Sequence, residues 1–353
     1  MTPIPGCHTN QRQYLRGPDA RSLDFDCDCA VLSQEDAPRP GVLPLPTIYA
    51  LELTPACNHH CIGCSNVFAP HQTPLALETW EQVLDTIAPH AQRLKLTGGE
   101  PTCHPQFARL VEAVNRRGIP FTLFTNGCWH RPDEVLSLLQ RSPTCAGLLI
   151  SLHGATAQSH EAFTNAPGSF AETCATIQHA TRAGLRVATN TVMTRYAVDE
   201  VAQVIHLSQS LGATSAIFNR YIGRPWPDLA PAPADLARAL SAIEHTAAPH
   251  AARLGTCIPL CFAETSAAGC LAGTAYCTID PWGSLRPCNH APQVVGNLLT
   301  QSLHTLWHSE AMQQWRALLP EGCTACAHLS QCRGGCRAAA LLHQQPHDPL
   351  IPA

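Results

Sequence analysis

Three cysteines, Cys57, Cys61 and Cys64, fall within eight residues directly after an apolar run, Ile48–Leu53. This C-x3-C-x2-C spacing limits the chain more than any other feature. Three thiolates on one tight loop suit three corners of a [4Fe–4S] cube, in which each iron takes one thiolate. A structural zinc site wants four closed ligands, and only His59 or His60 offers a local fourth. Disulfides are the third use of clustered cysteines. The N-terminus, MTPIPGCHTNQRQYL, lacks the basic and apolar regions of a secretory signal. No run reaches the roughly 18 apolar residues of a membrane span. The chain is therefore expected in the reducing cytoplasm, where clustered cysteines bind metal more often than each other.

The surrounding pattern is α/β. Short apolar or β-branched runs at 48–53, 93–97, 121–125, 148–152, 186–192 and 215–219 alternate with amphipathic segments near 77–88, 105–117, 132–140, 169–183 and 198–211. The fourth of these segments reads as opening on a capping box, Ser169 with Glu172. Such alternation predicts βαβ units and a parallel sheet, whose ligands bind outside the carboxyl ends of the strands. With 45% hydrophobic and 14% charged residues, a full core is affordable and bulk disorder is excluded. A net charge of −4 argues against nucleic-acid or membrane-surface binding by charge. The predicted organisation is an irregular extension (1–46), the α/β unit (47–225), a helical bridge (226–255), a cysteine-rich unit (256–345) and a tail (346–353). Nine of the 19 cysteines lie between residues 257 and 336, and a cytosolic unit so dense in thiols is usually stapled by metal.

The second strand run ends in Gly98-Gly99-Glu100-Pro101. Glycines let backbone approach a ligand closely, and a carboxylate accepts hydrogen bonds from an ammonium group. One βα unit after the cysteine triplet, this segment makes the chain resemble the radical S-adenosylmethionine (SAM) enzymes, over residues 47–225. The resemblance implies a partial (β/α)6 radical SAM barrel. It implies that Cys57, Cys61 and Cys64 hold a [4Fe–4S] cluster whose open iron chelates SAM, and that Gly98, Gly99 and Glu100 contact the SAM amine. Ser151 and Asn190 fall at positions where many members touch the ribose and carboxylate. One departure is Gly63, where the family often has an aromatic residue near the adenine; that contact comes from elsewhere, with Phe68 a candidate, or is absent.

Cys323-x2-Cys326-x5-Cys332-x3-Cys336 is a regular string, preceded by Cys270-x12-Gly283-x4-Cys288 around a hairpin-like stretch, Thr278–Pro287. This series resembles the SPASM domain, which holds one or two auxiliary [4Fe–4S] clusters. The resemblance implies a first cluster on Cys270, Cys288 and Cys336, completed by Cys277, Cys257 or Cys261. It implies a second on Cys323, Cys326 and Cys332. The family's final cysteine is missing after Cys336, which leaves an open iron, His343 or His347, or a borrowed Cys7, Cys27 or Cys29. Cys128, Cys145 and Cys174 read as buried thiols, and Cys103 as a residue that could face the cavity.

By this resemblance the expected activity is reductive SAM cleavage to a 5′-deoxyadenosyl radical and oxidative modification of a peptide or protein substrate, with a flavodoxin or ferredoxin as electron donor. Ribosomal peptide maturation by a crosslink or related oxidation comes first. A sulfatase-type maturase would place an aspartate after Cys288, where this chain has Asn289. Tetrapyrrole side-chain trimming and a non-catalytic iron–sulfur electron carrier remain as alternatives. The extension 1–46 lacks alternating apolar runs, so no fused leader-binding domain is expected.

Overall fold

The computed structural model describes residues 41–64, 73–223, 229–246, 252–255, 258–263 and 269–351. Cys7, Cys27, Cys29, Phe68 and Cys257 lie outside the described residues. The α/β part runs β1 (Ile48–Glu52), α1 (Leu77–Ile87), β2 (Arg93–Thr97), α2 (Phe107–Arg116), β3 (Phe121–Thr125), α3 (Pro132–Arg141) and β4 (Cys145–Ser151). It continues with α4 (Ala157–Thr164), α5 (Ser169–Arg182), β5 (Val187–Met193), α6 (Val201–Ser210), β6 (Ser215–Arg220), α7 (Pro233–Thr246) and β7 (Ala252–Leu254). All seven strands are parallel and stand in sequence order. The seventh extends the sheet into the stretch read as a bridge.

The sheet does not stop there. β8 (Tyr276–Ile279) pairs parallel with β1 on its other side, and β9 (Ser284–Arg286) and β10 (Gly296–Asn297) continue antiparallel. The expected hairpin is present as β8–β9. Short helices follow: α8 (Leu303–Trp307), α9 (Glu310–Ala317), α10 (Leu329–Cys332) and α11 (Arg337–Leu342). Among the described residues no helix is long and apolar enough to cross a membrane.

Period-2 alternation explains how the sheet is clothed. On β2, Leu94 and Leu96 join the main core with Trp80, Leu84 and Ile87 of α1. Lys95, the chain's only lysine, takes the other face, buried over the Phe124 and Tyr276 rings at 5.6 and 4.9 Å. Glu52 of β1 forms a buried ion pair with Arg286 of β9, which ties the two units together. The capping box falls elsewhere than expected. Ser169 is the first helical residue of α5, after left-handed Gly168, and its hydroxyl is shared with Thr164 at 3.0 Å. The capping box belongs to α4, on Thr156 and Ser159.

Candidate functional site

The loop after β1 is positioned by backbone. Leu53 N–H donates to the Thr97 carbonyl, Gly99 N–H to that of Thr54 at 2.7 Å, and Glu100 N–H to that of Ala56 at 2.8 Å. A Cβ on Gly99 would sit 2.2 Å from the Ala56 carbonyl oxygen, and one on Gly98 (φ +144°) 2.6 Å from that of Thr54. Those glycines are required by the packing of one strand-end loop on the next. The far side of the cysteine loop hangs on α4, through His60 N–H to the Thr164 carbonyl and Ile62 N–H to that of Phe163. Cys64 N–H closes a turn on the Cys61 carbonyl at 3.2 Å.

The three thiols share one electrostatic neighbourhood. Burial pushes the Cys57 thiol up to about 11, helped by Glu100, Cys64 and Cys103 and opposed by the His59 N–H. Burial raises Cys61 further, and Cys64 and Cys57 add to it. Cys103 is near Cys57 and the Asn58 backbone, and Cys128 near Cys61, but neither lines the cavity beside the loop. That cavity, about 240 Å³, is bordered by Cys57, Cys61, Cys64, Gly98, Gly99, Ser151 and Asn190 among others. Ser151 and Asn190 are register partners on β4 and β5, and the Asn219 amide donates to Asn190. A larger hollow of about 1220 Å³ opens at the amino ends of the strands, among Thr47, Pro120, Thr144 and Arg186, far from the loop's thiols.

Glu100, the carboxylate of that segment, lies against the end of β3. It is fully buried and does not border the cavity. Its oxygens accept from Thr102 N–H (3.2 Å) and hydroxyl (2.8 Å), the Thr125 hydroxyl (2.9 Å) and Asn126 N–H (2.8 Å). Burial raises its pKa, against those donors. Asn126, which the sequence reading passed over, carries the consequence onward. Its amide reaches Asn58 Oδ1 at 2.7 Å and Cys57 Sγ at 3.9 Å. An N-G pair after a strand reads as a turn, so nothing in the pattern marked it. We expect Glu100→Ala to cost on the order of 1.5–3 kcal/mol by orphaning buried donors. A lower melting midpoint together with poorer iron loading checks this; an unchanged midpoint contradicts it.

Gly63 explains the family departure. A Cβ there would meet Leu229, Tyr221 and Phe163 at 2.7–2.9 Å. Phe163 and Tyr221, both bordering the cavity, occupy the space an aromatic at 63 would take.

Asn289 and His290, which follow Cys288, border the same cavity. Asn289 is a neutral amide accepting from the Tyr276 hydroxyl at 3.2 Å, so no base stands there. Cys270, Cys288 and Cys336 are buried, each at 6–8% exposure. Cys277 is fully buried and in register with Tyr49; burial alone raises its thiol, with no other thiol contributing. Cys323 and Cys332 are half-buried and Cys326 is exposed.

The donor set fits an iron–sulfur cube with a small polar ligand. Three thiols sit on one loop, and Asn219, on the same cavity wall, has a buried Oδ1 without a partner. Among the described residues no three His, Cys, Asp or Glu donors converge as a single ion requires; cube thiolates each bind their own iron.

The Radical SAM superfamily matches residues 51–207, and an iron–sulfur cluster-binding domain, SPASM, matches 270–334. The mycofactocin maturase MftC of Mycobacterium ulcerans is 30% identical, over 87% of this chain and 87% of its own. The chain belongs to the radical SAM superfamily. This radical SAM enzyme is also 28% identical to the AdoMet-dependent heme synthase of Methanosarcina barkeri, over 84% of this chain and 92% of that one. Its fold resembles Streptococcus suis SuiB bound to S-adenosylmethionine, with TM-score 0.74 and 17% identity, covering 88% of this chain and 78% of SuiB.

Proposed function

We propose that this enzyme matures a ribosomally made peptide, by a crosslink or related oxidation, with Cys57, Cys61 and Cys64 holding the SAM-binding cluster. The observation that carries the reading is one cavity bordered at once by the cysteine loop and by Asn289 and His290 of the auxiliary unit. A substrate carbon there faces both units. MftC, the relative at 30% identity, is itself named a maturase. When bound, the cluster with SAM supplies hydrogen abstraction by a 5′-deoxyadenosyl radical. The chain's own residues do the rest. Gly98 and Gly99 hold the loop against β2, and Glu100 and Asn126 fix the β3 end beside Cys57. Ser151, Asn190 and Asn219 offer polar contacts to SAM, and Phe124, Phe163 and Leu149 keep water from the reacting carbon. A flavodoxin or ferredoxin serves as electron donor.

The likeness to a heme synthase favours a second reading, oxidative trimming of a tetrapyrrole side chain. Anaerobic enzyme with dithionite, SAM and either a co-encoded short peptide or a carboxylated tetrapyrrole separates the two. The peptide reading expects 5′-deoxyadenosine together with a peptide that has lost hydrogen mass. Decarboxylated tetrapyrrole with unmodified peptide would sink it.

A further inference from the structure

The polar groups that border the cavity beside the cysteine loop fall on two walls. Ser151, Asn190 and Asn219 stand on β4, β5 and β6. Glu52, Asn289 and His290 stand where β1 meets the auxiliary unit, with β2 and β3 between the two sets in the sheet order. Glu52 is the only carboxylate on that border among the described residues. It closes β1, in register with Thr97, and is 5% exposed.

One guanidinium organises the second wall. Arg286, itself buried, donates from Nη2 to Glu52 Oε2 and from Nη1 to the carbonyls of Asn289 and Ala291, at 3.3 and 3.2 Å. The planar fork therefore fixes the end of β1 and the Asn289 backbone at once. Glu52 Oε1 has no partner among the described residues and is not sealed from solvent, so it stands as an acceptor on the cavity. The Asn289 side chain is held from its other end. Its Oδ1 accepts from the hydroxyl of buried Tyr276 at 3.2 Å, which Thr278 shares at 3.0 Å. Asn289 Nδ2 likewise has no partner among the described residues and stands as a donor.

An acceptor and a donor tied to one guanidinium suit a group that offers both in return. Glu52 already has its cation in Arg286, so an ammonium there would set two cations on one carboxylate. In extended backbone the N–H and C=O of one residue point to the same side, and antiparallel neighbours exchange both bonds through them. Glu52 and Asn289 offer the facing half of that exchange without a strand.

We propose that Glu52 and Asn289 form a backbone-reading subsite for an extended peptide. Glu52 Oε1 accepts the N–H of one residue, and Asn289 Nδ2 donates to the C=O of the same residue. This rests on the peptide reading of the cavity. The test is the affinity of anaerobically reconstituted full-length protein for the co-encoded peptide, and for forms of it in which one backbone N–H at a time becomes an ester oxygen. In wild-type protein one ester position should weaken binding about 10-fold or more, as loss of a hydrogen bond to a charged group does. In Glu52→Leu that ester should cost no more than the others, as a double-mutant cycle requires of a direct contact. Glu52→Leu strands the buried Arg286 charge, so E52L/R286M, which removes both partners, is measured beside it and should behave alike. Asn289→Ala should weaken binding of the parent peptide by about 2- to 10-fold and keep the ester penalty. No sensitive ester position, a penalty that survives in both Glu52 variants, or wild-type affinity in Asn289→Ala would overturn the subsite. Wild-type protein that binds no peptide would overturn the peptide reading and the subsite with it.

Discussion

The variant C57A/C61A/C64A is expected to make no 5′-deoxyadenosine while keeping its fold. Wild-type protein should carry close to 12 irons, as three cubanes require, and this variant about 4 fewer. The fold should survive because the three thiols are exposed or half-buried and pack no core. The loop is held by backbone hydrogen bonds to Thr164, Phe163 and the Gly99–Glu100 segment, which alanine leaves in place. Measuring SAM cleavage beside iron content distinguishes a missing cluster from a collapsed protein. Residual 5′-deoxyadenosine above an enzyme-free control would show that another thiol set does the chemistry.

Asp348→Ala should be the most destabilising single change among the residues described. The Asp348 carboxylate is wholly buried and takes two hydrogen bonds from Arg220, at 2.9 and 2.6 Å. It also accepts the Cys336 and Leu350 N–H groups. Removing one partner of a buried ion pair leaves the other charge uncompensated, at about 3–5 kcal/mol. Arg220 closes β6, so the loss should spread from the barrel's last long strand to the cysteine string. Chemical denaturation should show a clearly lower midpoint, and iron in the auxiliary unit should fall with it. A midpoint shifted by less than about 1 kcal/mol, the worth of a surface pair, would contradict the buried-pair account.

Much of the architecture was legible in the sequence because periodicity reports burial. The β2 and β3 strands have the predicted limits, and the others differ by a few residues at most. Elements too short for a period were not legible. β7 is three residues, Ala252–Leu254, and its strand character comes from a neighbour already in place. The same holds for Asp348, in the stretch read only as a tail (346–353). Only the fold brings Arg220 to it from 128 residues away. At the site, types and spacing marked the cysteines and glycines. They could not show that Glu100 turns inward, because a carboxylate with four local donors and one facing a ligand have the same sequence.

The parallel pairing of β8 on β1 sets the order in which this protein can be completed. Glu52 and its partner Arg286 are 234 residues apart, so one edge of the first strand stays open through most of synthesis. At roughly 5–20 residues per second, that interval lasts on the order of ten to fifty seconds. Throughout it the nascent chain offers a buried-type apolar strand edge to any other chain on the ribosome. Pairing so distant in sequence is also slow to form once both strands are available. Recovery of soluble protein should therefore depend on growth temperature and on chaperones that cover unpaired edges.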